Sequence, residues 1–235
     1  MTRRRIAAVL TTLGVLATGL VTAAPAAQAD SYCTITNFSP RKVVVGLSPV
    51  TATFKPTVSG CDVADWSIEG DYFYVYDIYD GDTGTTREIF NPFDYSNSEA
   101  GAQDVSVSAD NSDYDETDRI FRGGFSLLRR TQWDAGTFNA SPEPVKKGKS
   151  INITGRLRVV DWDNAKYVAY SARTVSVQFK TPTGSYATIK TTKTSSTGWI
   201  KTTVTASKTG TWRVVYWGND HAAVATSIGD TVKVS

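Results

Sequence analysis

Apolar and polar residues alternate along much of this chain, and this period of two constrains its fold more than any other feature. The clearest case combines Ile151, Ile153, Leu157 and Val159 with the intervening polar residues Asn152, Thr154, Arg156 and Arg158. Because successive side chains of a β-strand point to opposite faces, the pattern predicts a strand with one buried face. The period recurs at residues 175–180 and 200–206. We therefore expect an all-β fold.

Further strands are predicted in both halves of the chain. They are residues 43–47, 50–57, 72–79, 86–90, 105–108 and 125–130 in the first half, and 186–191, 211–217 and 231–235 in the second. Turn-forming residues separate these segments, among them Pro182, Gly184 and Gly218. Short strands at this spacing are typical of a β-sandwich or a β-barrel.

Charge divides the chain into two halves. Residues 30–138 contain 18 acidic and 8 basic residues, whereas residues 139–235 contain 5 acidic and 14 basic residues. Pro142 and Pro144, which restrict the backbone, lie at this change in composition. We therefore predict two β domains in tandem, an acidic domain at 30–138 and a basic domain at 149–235, joined by a linker at 139–148.

The N-terminal residues have the pattern of an export signal. Three arginines at positions 3–5 precede an apolar run at 6–21, and the small-residue sequence Ala27, Gln28, Ala29 follows. This combination predicts a cleaved signal peptide at 1–29, because the apolar run is too short for a comfortable membrane span. The protein is therefore expected to be secreted and extracellular, with no membrane span in the mature chain.

Cys33 and Cys61 are the two cysteines of the chain. In an exported protein such a pair predicts a disulfide bond. Closing this loop would favour the folded state by roughly 3–4 kcal/mol in the chain-entropy description. Two isolated thiols give no support for a metal centre or a redox site. We therefore expect the acidic domain to be closed by a disulfide between Cys33 and Cys61.

A set of residues in the second half points to a family. They are Pro144, Val145, Lys147, Gly148, Ile153, Gly155, Leu157, the segment 175–179, Gly198, Trp199, Trp212, Arg213, Val215, Tyr216 and Gly218. In these positions the chain resembles the bacterial immunoglobulin-like modules of exported actinobacterial proteins. The first half, with Cys33, Phe54 and Cys61, looks like the domain that precedes such a module. The resemblance implies a C-terminal immunoglobulin-like sandwich, and it implies calcium as a cofactor, since such proteins are often labelled calcium-binding.

Closely spaced carboxylates of the first half are the candidate calcium ligands. They are Asp110, Asp113, Asp115 and Asp118. Calcium takes six to eight oxygen ligands, and a flexible acidic loop can supply several of them. The spacing departs from the EF-hand signature because the sixth position is not glycine. A solvated acidic loop explains the segment without a metal, and this alternative stays open.

Aromatic residues lead to a carbohydrate hypothesis. Tyr72, Tyr74 and Tyr76 share one face of a predicted strand and can stack on sugar rings, but a central strand covered on both faces explains the run more simply. Trp162 and Tyr167 lie in a segment that is longer than the usual hairpin of the resembled modules. We therefore predict Trp162 as an exposed contact residue, with Tyr167 as a second binding residue.

Basic residues of the second half are candidates for an anionic partner. Lys146, Lys147 and Lys149 are predicted to contact a cell-envelope polyanion. Exposed lysines also serve solubility and protect sheet edges, so their presence alone does not decide between these roles. Nucleic acid is not expected as a partner of an exported chain.

No pattern of catalytic residues accompanies the single histidine, His221. We therefore predict a noncatalytic binding or interaction protein at the cell exterior rather than an enzyme. Its expected partner is a cell-envelope polymer, a carbohydrate or a protein. A calcium-dependent module is the alternative, and a hydrolase with paired carboxylates is less favoured.

Overall fold

Eight strands and two short 3-10 turns make up the first half of the fold. The computed structural model of the protein describes residues 34–59, 63–78, 85–111 and 121–235. The strands are β1 (Thr34–Ser39), β2 (Lys42–Val45), β3 (Val50–Ser59), β4 (Val63–Gly70), β5 (Phe73–Ile78), β6 (Thr86–Phe90), β7 (Gly101–Asn111) and β8 (Phe121–Arg129). They form two sheets, with the orders β1-β3-β6 and β2-β8-β7-β4-β5. Paired strands are antiparallel, except that β2 is parallel to β8.

Aromatic side chains fill the first sandwich. Phe38, Phe54, Phe90 and Phe125 are fully buried, and the ring centroids of Phe73 and Phe125 are 4.8 Å apart. Burial of each such side chain contributes about 1.5–3 kcal/mol relative to leaving it in water. The first core therefore depends on a cluster of phenylalanines contributed by both sheets.

The other ten strands form a second sandwich. They are β9 (Thr131–Trp133), β10 (Asn139–Ser141), β11 (Ser150–Asp161), β12 (Lys166–Ala169), β13 (Thr174–Lys180), β14 (Ala187–Lys193), β15 (Trp199–Thr205), β16 (Gly210–Tyr216), β17 (Ala225–Thr226) and β18 (Asp230–Val232). In one sheet β11 pairs with β9, β10, β12 and β15, and in the other β16 lies between β13 and the short strands β17 and β18. The chain thus crosses repeatedly between the sheets, as in the Greek-key connections of immunoglobulin-like sandwiches. The predicted fold class, all-β with two sandwiches in tandem and an immunoglobulin-like C-terminal sandwich, is confirmed.

The second core follows the alternation seen in the sequence. Ile151, Ile153 and Leu157 of β11 are fully buried, as are Val177 of β13 and Ile200 of β15. The polar residues between them lie on the opposite faces of their strands, because side chains alternate across a sheet. The segments with the clearest period of two therefore form the strands that enclose this core.

β11 connects the two cores. Its residues Leu157 and Val159 pack in the second core, whereas Val160 and the following Trp162 pack in the first. Trp162 is only 4% exposed, and its ring centroid is 5.8 Å from that of Tyr95. The prediction that Trp162 is an exposed contact residue is therefore wrong. The first sandwich covers the otherwise polar face of β11 at its C-terminal end.

Asn97 joins the first sandwich to the end of β11. Its side-chain amide donates to Oδ1 of Asp161 at 2.7 Å and to Oδ2 of Asp163 at 2.6 Å. Its carbonyl oxygen accepts a hydrogen bond from the backbone N–H of Trp162 at 3.0 Å. Burial alone would raise the pKa of Asp161, but hydrogen bonds from Asn97 and Asn164 outweigh this effect and lower that pKa below its usual value.

A second set of contacts at this junction involves His221. Nδ1 of His221 lies 2.6 Å from the backbone oxygen of Ala100, and the backbone N–H of Arg129 donates to the oxygen of His221 at 3.0 Å. Gly101 has φ of +136°, and a Cβ there would lie 2.8 Å from Nδ1 of His221. Glycine therefore permits both the backbone conformation and the close approach of the imidazole.

Several strands were not anticipated. They are β1, β4, β9, β10, β12 and β17. The predicted linker at 139–148 contains β10, which pairs with β11, and Val145, which forms a parallel bridge with Val234. No helix in the described part of the chain is long and apolar enough to cross a membrane.

Candidate functional site

The predicted calcium ligands fall largely outside the described ranges. Asp110 lies in β7, where it is paired with Asp65 of β4, but Asp113, Asp115 and Asp118 lie outside the described residues. Among the residues that the structure describes, no group of three or more His, Cys, Asp or Glu side chains can hold a metal ion. Calcium binding therefore stays a prediction.

The predicted disulfide also involves residues beyond the described ranges, since neither Cys33 nor Cys61 is described. Strands β1 and β3 pair with Thr34 opposite Ser59. Thr34 follows Cys33 directly, and Ser59 precedes Cys61 by two positions. The disulfide between Cys33 and Cys61 therefore stays a prediction.

The other predicted contact residues are separated in the fold. Lys146, Lys147 and Lys149 are exposed near the start of β11, whereas Tyr167 is half-buried against the first core. Ligand binding by these residues stays a prediction.

The tyrosine segment is only partly covered. Tyr72 and Tyr74 are 47% and 56% exposed, while Phe73 between them is buried. The interpretation that both faces of this segment are covered is therefore wrong for Tyr72 and Tyr74. The reason is that β5 lies at the edge of its sheet rather than at its centre.

One cleft opens on the second sandwich beside the turn between β9 and β10. It has a volume of about 220 Å³ and is lined by residues that include Trp133, Phe138 and Ile228. The indole N–H of Trp133 is already used, because it donates to the backbone oxygen of Ala225 at 3.2 Å. Ligand pockets usually measure roughly 300–1,000 Å³, so this cleft is small for a dedicated ligand site. An open surface is the better candidate.

The solvent side of the sheet that contains β13, β14 and β16 has an unusual composition, and we call it the basic face. By strand register its positions are Thr174, Ser176, Gln178, Lys180, Thr188, Thr191, Lys193, Thr211, Arg213, Val215, Thr226 and Thr231. Three of these residues are cationic and six are threonines, whereas none is Asp or Glu. The basic face therefore offers hydroxyl groups and positive charge without competing carboxylates.

Trp217 lies at one end of the basic face, directly after β16. Its side chain is 63% exposed, yet its indole Nε1–H donates to Oγ of Ser176 at 3.0 Å. Ser176 is opposite Val215 in the register, so the indole reaches back across the sheet. Gly218, with φ of +82°, turns the chain immediately afterwards. Trp217 is thus an exposed aromatic ring whose orientation is fixed by a hydrogen bond.

Arg213 occupies the outward position of β16 opposite Gln178, with Val215 between it and Trp217. Its Nε donates to Oε1 of Gln178 at 2.9 Å, and its guanidinium carbon lies 3.6 Å from the ring centroid of Tyr186. Nζ of Lys180 lies 5.0 Å from the same ring centroid. The amide of Gln178 also donates to Oγ1 of Thr188 at 3.4 Å. The guanidinium is therefore held at one edge by an amide and on one face by an aromatic ring.

We refer to Ser176, Gln178, Tyr186, Arg213 and Trp217 as the outer-face site. Ser176 and Gln178 are only 6% and 5% exposed although they lie on the solvent side of the sheet. Their polar atoms orient Trp217 and Arg213, so they act as supports. A fixed ring, a fixed cation and nearby hydroxyl groups are suited to hold a flat polar ligand by stacking and hydrogen bonds.

The sequence carries one signal of this site. Aromatic residues in the segment 212–217 fall on both faces of a predicted strand, since Trp212 and Tyr216 are buried and Trp217 is exposed. Aromatic rings on the solvent side of a strand indicate a contact surface more often than a core. The partners Ser176 and Gln178 cannot be read from the sequence, because they depend on the pairing of β13 with β16.

Comparison with known proteins gives no family, because no protein-family profile and no curated protein matches the chain. Similar solved structures include fibronectin(III)-like modules of Clostridium thermocellum CbhA, which are 14% identical to this chain with a TM-score of 0.38. The match covers 86% of this chain and 92% of the other chain. Three N-terminal domains of the bacteriophage RB49 capsid protein Hoc share 13% identity, with coverages of 87% and 70% and a TM-score of 0.32. The D00-D0 domain of intimin shares 13% identity, with coverages of 86% and 98% and a TM-score of 0.30. At these scores the likeness carries no functional argument, and the fold assignment rests on the strand order.

Proposed function

We propose that the protein is a secreted, noncatalytic binding protein that holds a carbohydrate chain at the cell exterior through its outer-face site. The observation that supports this proposal is Trp217, a largely exposed indole with a hydrogen-bonded orientation. An exposed tryptophan with no such restraint samples several rotamers, and ordering it on binding costs free energy. The bond to Ser176 removes much of that cost.

Carbohydrate is favoured by the combination of groups around the ring. The C–H face of a pyranose packs on an aromatic ring, while its hydroxyl groups exchange hydrogen bonds with side-chain hydroxyl, amide and guanidinium groups. The basic face supplies threonine hydroxyls on five strands of one sheet besides the fixed groups of the outer-face site. An apolar peptide segment would leave these polar groups without partners, which is costly on binding.

The predicted export of the chain and its lack of a catalytic pattern agree with a role in binding outside the cell. His221, the one histidine, holds the turn before β17 against the first sandwich through its contact with Ala100. The lysines at 146, 147 and 149 lie on a different part of the second sandwich from the outer-face site, and their binding to an envelope polyanion stays a separate prediction.

Co-sedimentation with isolated cell walls and with insoluble polysaccharides tests the proposal. We expect Trp217→Ala to weaken binding roughly tenfold or more, because truncation of an aromatic contact residue typically costs more than about 1 kcal/mol. Trp199→Ala is the matched control, since Trp199 is 37% exposed but belongs to the opposite sheet. Equal binding of the wild type and Trp217→Ala, or no binding to any polysaccharide, would refute the proposed function.

A further inference from the structure

Arg213 presents a free hydrogen-bonding edge within the outer-face site. Its Nε is bonded to Gln178, and its face is stacked on Tyr186. Among the described residues, the ion pairs within 4.0 Å join Asp134 to Arg156 and Arg158, so Arg213 has no carboxylate partner there. The two terminal nitrogens of the guanidinium are therefore available in a fixed plane.

We infer that the carbohydrate held by this site carries carboxylate groups, as in a chain of hexuronic acids, and that Arg213 recognises them. This inference rests on the proposed function. A planar guanidinium binds a planar carboxylate through two parallel N–H···O bonds, which a lysine ammonium cannot reproduce. Lys180 and Lys193 add positive charge on the same face, and no acidic position of that face opposes an anion.

The spacing of the site favours an oligosaccharide over a single sugar. Ser176, which holds the indole of Trp217, and Gln178, which holds Arg213, are two residues apart on β13. Residues at this spacing in a strand are about 7 Å apart. The indole and the guanidinium are thus anchored at successive outward positions of β13, and a ligand that contacts both needs more than one sugar unit. The stacked unit supplies affinity, and the carboxylate of its neighbour supplies specificity.

Gln178 and Tyr186 fix the orientation of Arg213, and this distinguishes it from an ordinary surface arginine. Exposed ion pairs contribute little, partly because two long side chains lose rotamer freedom when they pair. Gln178 and Tyr186 hold the guanidinium before any ligand arrives, so less entropy is lost on binding. Gln178 thus acts as a positioning residue for Arg213, as Ser176 does for Trp217.

Titration calorimetry with the full secreted chain tests the inference. The two main probes are an oligohexuronate and the neutral oligosaccharide obtained from it by reduction of each carboxyl group to an alcohol. A phosphate-bearing glycerol polymer is the third probe. We expect the oligohexuronate to bind at least tenfold more tightly than the neutral form, equivalent to about 1.4 kcal/mol. Its affinity should fall with added salt.

Variants of Arg213 separate recognition of the carboxylate from stacking of the sugar on Trp217. Arg213→Gln and Arg213→Lys should remove most of the preference for the oligohexuronate over the neutral form. Arg213→Lys keeps the charge, so a loss in both variants identifies the bidentate contact. Lys201→Gln, on the exposed side of β15 in the other sheet, is the matched control. Thermal unfolding of each variant verifies that it is folded.

The outcomes distinguish the inference from the proposed function. If the neutral and acidic probes bind equally to the wild type and both require Trp217, carbohydrate binding stands and the inference on the carboxylate is overturned. Tighter binding of the phosphate polymer than of the oligohexuronate also overturns it. If no saccharide binds, the proposed function itself fails.

Discussion

Replacement of Trp162 by alanine distinguishes a structural residue from a contact residue. Trp162 is 4% exposed and packs in the first core beside Tyr95, although it follows a strand most of whose buried apolar residues build the second core. Truncation of a buried tryptophan to alanine costs about 3–5 kcal/mol, because apolar contacts are lost and a cavity remains. We therefore expect Trp162→Ala to lower the free energy of unfolding by about this amount.

A second substitution tests the cause of that loss. The indole nitrogen of Trp162 is buried without a hydrogen-bond partner among the described residues. Trp162→Phe removes this unsatisfied donor and keeps most of the apolar contacts, so it should cost less than about half as much as alanine. The comparison separates the loss of packing from the removal of the unsatisfied donor.

Urea denaturation followed by circular dichroism measures both effects. Trp217→Ala is the control, since its side chain is 63% exposed and substitutions at such positions usually change stability by less than about 0.5 kcal/mol. If Trp162→Ala unfolds at the same urea concentration as the wild type, or if Trp217→Ala is destabilised equally, the burial argument is refuted.

Three further predictions concern ionisation, calcium and the cysteines. The pKa of Asp161 is lowered in the folded state, so its contribution to stability is present above the ordinary aspartate pKa of about 4 and is lost as the pH falls through the folded value. The stability difference between wild type and Asp161→Asn should therefore shrink below about pH 4, and a constant difference from pH 7 to pH 2 contradicts this reasoning. If the acidic loop binds calcium, added calcium should raise the melting temperature and a double substitution, Asp113→Ala with Asp115→Ala, should abolish the rise; an unchanged melting curve ends that hypothesis. Mass spectrometry of unreduced peptides should find Cys33 linked to Cys61, and two alkylatable thiols in the secreted protein would disprove the bond.

The sequence predicts the burial of a residue where its neighbours along the chain determine that burial. It fails where residues distant in sequence cover the side chain. Ile151, Ile153 and Leu157 are buried as predicted, because alternation within one strand sets which side chains face the core. Trp162 has the same parity as the exposed-side residues of β11 and lies between two aspartates, so its burial has no local signal. It is buried because residues of the first sandwich, far away in sequence, cover that face.

The outer-face site could not be predicted for the same reason. Arg213 and Gln178 are separated by 35 positions, and their hydrogen bond depends on the antiparallel pairing of β16 with β13. A shift of this register by one residue would move Arg213 towards the core. The residue types were visible in the sequence, but their arrangement is a property of the fold.

The contacts at the junction between the two sandwiches bear on the role of the opposite charges of the two halves. The contacts that join the sandwiches are amide–carboxylate and backbone hydrogen bonds, such as those of Asn97 to Asp161 and of Arg129 to the oxygen of Val160 at 2.8 Å. No ion pair within 4.0 Å crosses this junction among the described residues, because both recorded pairs of Asp134 lie within the second sandwich. Direct ion pairs between described residues therefore do not hold the two sandwiches together. Among the residues that the structure describes, Lys180, Lys193 and Arg213 of the basic face form no ion pair with the first sandwich, so their charge can attract an anionic ligand.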